Sequence, residues 1–311
     1  MIRRRVATNG VELQVAEDGD GPLVVLCHGW PELWYSWRHQ LPVLAAAGYR
    51  VIAPDQRGYG GSDRPEAVAD YDIVHLTDDL LGLLDAYGED RATFVGHDWG
   101  AAVVWALARR APERVERVAA LSVPFRPRAS RPPTEILKQL HGDRFFYMLY
   151  FQAVGPADAE LGQDAALTLR RVLWGVSGDA PPDAWAAGRK GDGMLGGMAE
   201  PERLPDWLGA EDLAYYTAEF SRTGFTGGLN WYRNLDRNWE QEAAWDDVKI
   251  ETPALFVAGE RDPVLRFIRP DAMDEWVPGL RRSLILEGAG HWIQQERPAE
   301  VNQALLELLT Y

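Results

Sequence analysis

The sequence predicts an α/β fold, a mostly parallel central sheet flanked by helices, and three observations carry that expectation. Short apolar runs rich in β-branched residues alternate with helical stretches. One of these runs passes through a glycine-flanked turn directly into a helix. The alternation breaks off after residue 125 and resumes near residue 252.

Taken in order, LVVLC (23–27), RVIAP (50–54), ATFVG (92–96) and RVAALSV (117–123) are runs of the kind that central parallel strands need, because both strand faces are covered. Between them TDDLLGLLDAYG (77–88), closed by a glycine, and AAVVWALARRAP (101–112), closed by a proline, carry helical spacing. From about 126 to 240 the pattern changes: prolines cluster at 127–133, aromatics are frequent and no strand-like run occurs. TPALFVAGE (252–260) and RSLILEGAG (282–290) then restore the strands, and EVNQALLELLTY (300–311) makes a final amphipathic helix. The expected organisation is a core of residues 1–125 and 241–311, interrupted by a helical cap of residues 126–240. Within the insert, GRKGDGMLGGMAEPERLP (188–205) reads as a loop free to move.

A chain of 311 residues can bury a sizeable core, and with 46% apolar and 25% charged residues it reads as folded rather than disordered or fibrous. Its formal charge of −15 repels phosphate backbones and anionic headgroups, so nucleic acid is not an expected partner. The basic start MIRRRVATNG is followed by no apolar run and does not read as a secretory signal, and no stretch approaches the ~18 apolar residues of a membrane span. With Cys27 the single cysteine, no intrachain disulfide can form, and a cytoplasmic location is expected. A homodimer is left open.

The most informative stretch is FVGHDWGAA, in which Gly96-His97-Asp98-Trp99-Gly100 joins a strand to a helix. This is a nucleophile-elbow pattern, whose sharp turn demands small residues two positions to either side of its centre. A serine usually occupies that centre. Here it is Asp98. A carboxylate can displace at a saturated carbon, and the resulting alkyl ester can be cleaved by water, so one difficult displacement becomes two easier steps. The competing reading of Asp98 alone is a helix N-cap.

Cleaving the ester requires a base, and a histidine after the last strand is where a nucleophile-elbow fold supplies it. His291, in GAGHWIQQERP, holds that position. His39, His75 and His141 fall in predicted helices or surface segments, His28 serves another motif, and His97 is beside the nucleophile. Asp262, in GERDPV, keeps the chain order nucleophile, acid, histidine and is the expected orienting acid, with Glu260, Asp271 and Asp274 as rivals. His28-Gly29-Trp30-Pro31 follows a strand and can present backbone N–H groups towards the elbow. The N–H groups of Trp30 and Trp99 are the expected oxyanion hole, and Trp30, Pro31 and Trp99 the expected substrate contacts. Pro31 makes a cis bond possible. The chemistry requires no cofactor and no metal.

HGWPELWYSWRHQ, DQRGYGGSDRP, GHDWGAAVVWALARRAPERV and GHWIQQERPAEVNQ together resemble the epoxide hydrolases of the α/β-hydrolase fold, particularly the hydrolase domain of soluble epoxide hydrolases. The resemblance runs from roughly residue 5 to 308, and no additional N-terminal phosphatase domain is expected. It enters the insert, where FFYMLYFQ and TGFTGGLNWYRN look like the two segments that carry the family's epoxide-polarising tyrosines, which by that resemblance are Tyr147 and Tyr232. Phenols, with an ordinary pKa near ~10, stay protonated at neutral pH and can donate to a developing alkoxide. Tyr150 and Tyr215 are expected simply to pack. The implied function is conversion of a small apolar epoxide plus water to a vicinal diol. A haloalkane dehalogenase would use the same elbow and histidine, but a departing halide needs no phenol; the tyrosine segments therefore favour the epoxide. The third reading is a non-catalytic ligand-binding protein on this fold.

Overall fold

A computed structural model describes residues 1–185 and 193–311. Its centre is an eight-stranded sheet in the order β1-β2-β4-β3-β5-β6-β7-β8. The strands are β1 (Ile2–Thr8), β2 (Val11–Asp18), β3 (Leu23–Cys27), β4 (Arg50–Pro54), β5 (Ala92–His97), β6 (Val115–Leu121), β7 (Ala254–Gly259) and β8 (Leu280–Leu286). From β4 to β8 every neighbouring pair is parallel, while β2 runs antiparallel to β1 and β4.

The apolar runs sit where their composition requires. β3, β5 and β7 are buried along their whole length. Val24 and Leu26 face one hydrophobic cluster with Trp37, Leu44 and Leu305, and Val25 and Cys27 face the other with Phe94, Leu80 and Val104. Alternation along the strand thus feeds both layers. β8 is the sheet's far edge, and four of its seven residues are exposed accordingly.

The β1–β2 hairpin has no counterpart among the expected strands. Its turn is Asn9-Gly10, with φ of 38° and 75°, and this dipeptide is the strongest short-range hairpin signal in a sequence. The signal is masked by the charged run Arg3-Arg4-Arg5, which an edge strand tolerates because five of the seven β1 residues face solvent. β6 ends at Leu121, two residues before the expected boundary, because Ser122 adopts φ 69° and leaves the strand.

Helices α1 (Leu41–Ala46), α2 (Ile73–Tyr87) and α3 (Trp99–Arg110) belong to the first half of the sheet. Between β6 and β7 lie α4 (Pro133–His141), α5 (Tyr147–Tyr150), α6 (Pro156–Gln163), α7 (Ala165–Gly175), α8 (Ala210–Thr223), α9 (Thr226–Arg233) and α10 (Leu235–Gln241). The described residues of this stretch contain no strand, only an isolated bridge from Trp185 to Met198. α11 (Met273–Trp276), α12 (Ile293–Glu296) and α13 (Pro298–Leu308) complete the chain. Of the loop expected at 188–205, residues 188–192 lie outside the described residues, and Leu195–Gly197 forms a short 3-10 turn. No helix among the described residues is long and apolar enough to cross a membrane.

α2 begins earlier than its spacing suggests because Asp72 caps it, accepting from the His75 N–H at 2.9 Å. The same carboxylate accepts from Arg237 and Gln241, each at 2.7 Å, which ties the end of the helical stretch to the sheet's covering layer.

Candidate active site

β5 ends at His97 and α3 begins at Trp99, leaving Asp98 alone between them with φ 52° and ψ −117°. For a residue with a Cβ this is strained backbone, which persists only where its surroundings enforce it. The enforcement is steric: a Cβ on Gly96 would stand 2.2 Å from the Gly100 carbonyl oxygen, and one on Gly100 would stand 2.1 Å from that of Cys27. The side chain does not cap α3. Instead Oδ1 accepts the Trp30 N–H at 2.8 Å, and Oδ2 lies 3.6 Å from Nε2 of His291. The Trp30 amide can approach because residue 29 is glycine, where a Cβ would collide with Asp98 Oδ1 at 2.4 Å.

His291 lies in the loop after β8, and its Nδ1 is 2.9 Å from Asp262 Oδ2. Asp262 follows β7, is 2% exposed, and spends its other oxygen on the Val264 N–H at 2.8 Å. Glu260, Asp271 and Asp274 are all exposed, and Glu260 binds the Gly288 N–H. Burial is what separates Asp262 from its rivals. It works against charge on His291, but Asp262 and then Asp98 outweigh it and hold the imidazole well above its ordinary value. Burial likewise opposes charge on Asp98, and is overcome by His291, His97 and the Trp30 N–H, so this carboxyl lies below its ordinary value. The resting pair is therefore carboxylate beside imidazolium.

Tyr147, on α5, and Tyr232, on α9, meet with ring centroids 5.8 Å apart and nearly perpendicular planes. Burial first, and the Asp98 charge second, push both phenols above their ordinary value, so both keep their protons. Asp98, Trp99, Tyr147 and Tyr232 line one cavity of about 440 Å³. A second cavity of about 670 Å³ shares His141, Phe146, Tyr147, Arg266 and Phe267 with it but does not reach Asp98. Tyr215 accepts the Trp34 indole N–H at 2.8 Å, away from this centre.

The structure assigns different surroundings to the expected substrate contacts. Trp99 lines the cavity, and its ring meets the Tyr232 ring edge-on with centroids 5.1 Å apart. Trp30 and Pro31 are buried and are absent from the cavity wall; the Trp30 ring packs against Phe151 and Tyr232 at 5.3 and 5.9 Å. What Trp30 turns towards Asp98 is its backbone. The Trp30-Pro31 bond is cis.

Two buried acids escaped the sequence reading. Glu32, fully buried, accepts from the Gly29 N–H at 3.0 Å, from His97 Nδ1 at 2.6 Å and from Gln294 Nε2 at 2.9 Å. His97 Nε2 in turn meets the His291 carbonyl at 2.8 Å, and Ser122 Oγ donates to that oxygen at 2.6 Å. Both His97 nitrogens thus face oxygen atoms, one from Glu32 and one from the His291 backbone. Glu296 accepts the N–H groups of Gly178, Gly290 and Trp292, shaping the loop around His291. Glu32 stands in HGWPE and Glu296 in IQQE; the usable signal in each case is a carboxylate inside an otherwise apolar or amide-rich segment. Of the other histidines, His28 is held down to about 4 by burial, His75 pairs with Asp72, and His141 lines the cavity that holds Asp98.

A family model for the α/β hydrolase fold matches residues 22–298. The chain is 56% identical to epoxide hydrolase A of Mycobacterium tuberculosis over 313 aligned positions, 99% of this chain and 97% of that protein. It is 42% identical to bifunctional epoxide hydrolase 2 of Sus scrofa, covering 96% of this chain and 53% of that protein. Among solved structures, epoxide hydrolase A from Mycobacterium thermoresistibile superposes with a TM-score of 0.96 at 55% identity, covering 99% of this chain and 98% of that one. An epoxide hydrolase from an endophytic Streptomyces also gives 0.96, at 43% identity, covering 99% of this chain and 95% of that one.

Proposed function

The chain belongs to the epoxide hydrolases of the α/β-hydrolase fold, and from that premise we propose that it converts an epoxide plus water to a vicinal diol through an alkyl ester on Asp98. The observation that carries the assignment of roles is the meeting of two protonated phenols and one strained carboxylate in a single cavity. In this reading residues 126–240 act as a helical cap over a core of residues 1–125 and 241–311, and the cap contributes both tyrosines. A cytoplasmic location accords with Cys27, the single cysteine, being buried and unpaired.

An Asp98 oxygen attacks a ring carbon, the C–O bond breaks, and the alkoxide takes a proton from Tyr147 or Tyr232. Esterification removes the Asp98 charge, leaving His291 with Asp262 as its one carboxylate neighbour. The imidazole thereby becomes easier to deprotonate at the stage that requires a base. His291 Nε2 then accepts a proton from water as the water oxygen adds to the ester carbonyl. The Trp30 N–H, already 2.8 Å from Oδ1, stabilises the resulting oxyanion, together with the Trp99 N–H. Collapse breaks the ester C–O bond, and the departing alkoxide takes a proton to give the diol; the proton His291 gave up before this step restores the tyrosine, and the one it took from water leaves it an imidazolium beside the Asp98 carboxylate again. A departing halide needs no proton, so the pair of phenols that meets in the cavity beside Asp98 supports epoxide opening over halide release.

A single turnover in heavy-oxygen water with enzyme in excess tests the reading. Label should enter the Asp98 peptide and be absent from the first diol; label in the diol with Asp98 unlabelled would replace the ester mechanism by direct water attack.

A further inference from the structure

We infer that Glu296 is a positioning residue for His291, and that it makes cleavage of the Asp98 ester depend on how residues 176–178 of the insert are seated on the core. The inference rests on the ester mechanism proposed above. Glu296 is buried and is absent from the wall of the cavity that holds Asp98.

Its carboxylate is divided between two distant pieces of chain. Within its own loop Oε2 accepts the Gly290 N–H at 2.7 Å and Oε1 accepts the Trp292 N–H at 3.0 Å, the two amides on either side of His291. On the side of the insert Oε2 also accepts the Gly178 N–H at 3.0 Å. The His291 N–H itself donates to the Val176 carbonyl at 2.9 Å. Every backbone N–H from 290 to 292 is therefore held either by Glu296 or by the segment that Glu296 holds.

That segment directly follows α7, and it reaches the loop of the orienting acid as well. The Gly178 carbonyl accepts from Arg261, the residue before Asp262, at 2.8 Å. Within α7 the Leu173 carbonyl accepts the Trp292 indole N–H at 2.6 Å. Backbone meets backbone here: a Cβ on Gly178 would stand 2.2 Å from the Gly288 carbonyl oxygen, and one on Gly290 would stand 2.2 Å from the Gly178 nitrogen. Such a contact has no flexible side chain to absorb a displacement.

Asp98 is held by other means, the glycines of its elbow and the Trp30 N–H, and Glu296 bonds to none of them. Tyr147 and Tyr232 stand on α5 and α9. Loosening the hold of Glu296 should thus shift the imidazole without shifting the groups that open the ring. Glu296→Gln does this with little change of size, because its amide must turn an NH2 group towards a backbone N–H that requires an acceptor.

The test follows the two half-reactions of styrene oxide separately, by rapid quench and intact-mass spectrometry. Glu296→Gln should slow ester cleavage by about tenfold to a hundredfold, the cost of an ångström-scale misplacement, while alkylation is largely kept and alkylated protein accumulates. Gly178→Ala, acting from the insert, should give the same signature. Because both changes loosen one seat, the double variant should lose little more than the worse single variant. If the Gly178→Ala protein does not fold, amide hydrogen exchange on Glu296→Gln takes its place, and exchange should quicken together around residues 173–178 and 287–293. Unchanged ester cleavage, equal loss in both half-reactions, losses that multiply in the double variant, or exchange that quickens in the His291 loop alone would overturn the inference. A wild type that forms no Asp98 ester would instead remove the mechanism on which it rests.

Discussion

His291 Nε2 stands 3.6 Å from Asp98 Oδ2, longer than a hydrogen bond, while its Nδ1 is held at 2.9 Å by Asp262. The imidazole is thus fixed from behind and not locked onto Asp98. His291→Gln should therefore still be alkylated, and intact-mass spectrometry should show protein plus substrate accumulating. Steady turnover should fall by ~10²–10⁴-fold, the usual contribution of a general base. Equal loss of both steps in a folded variant would remove His291 from the role of second-step base.

The raised basicity of His291 sets a pH dependence with a definite sign. Ester cleavage needs the neutral imidazole, so its single-turnover rate should climb as pH rises and then level off, while alkylation, which needs ionised Asp98 and protonated phenols, persists to lower pH. Removing the Asp262 charge with Asp262→Asn should move the rising limb to lower pH and lower the plateau. Rapid-quench measurements of the two half-reactions across pH check both statements.

For the tyrosine pair, either single change to phenylalanine leaves one donor and should slow alkylation partially. The double variant should lose ~10²–10⁴-fold in alkylation and much less in ester cleavage. Any dehalogenase side activity should survive better, because a halide leaves without a proton. Near-native epoxide opening by the folded double variant would take Tyr147 and Tyr232 out of the mechanism.

Glu32 joins the Trp30 loop, through Gly29, to the His291 loop, through His97. Glu32→Ala strands a buried partner and should cost ~3–5 kcal/mol in urea unfolding. Glu32→Gln keeps hydrogen-bonding capacity and should cost less. A change below about 0.5 kcal/mol on alanine substitution would show that the network is not needed for stability.

Asp72 offers a test of the tie between α2 and α10. Burial works against its charge, but the His75 N–H, Arg237, the His75 ring and Gln241 bring the carboxyl down to about 2. A depressed carboxyl contributes stability that is fully present above its ordinary value near ~3.8 and is lost as pH falls through about 2. Asp72→Asn should therefore lower stability by roughly 2 kcal/mol at neutral pH and flatten the acid limb between those values. Chemical denaturation at several pH values would show parallel acid limbs if the idea is wrong.

Local demands of the backbone were legible in the sequence by itself. Continuous apolar runs announced β3, β5 and β7 because strands covered on both faces admit little else, and Gly96 and Gly100 announced the elbow because its sharp turn excludes a Cβ at each position. The chain order of Asp98, Asp262 and His291 could be read for the same reason, since each follows the end of a strand. Tertiary structure decided what depends on convergence across the sheet. It buried Asp262 and left Glu260, Asp271 and Asp274 in solvent, and it turned the Trp30 amide rather than its ring towards Asp98. It also brought Glu32 to His97 across 65 residues and Tyr147 to Tyr232 across the insert. A carboxylate's role is set by its desolvation and by which donors reach it, and both are properties of packing between distant segments that no run of neighbouring residues encodes.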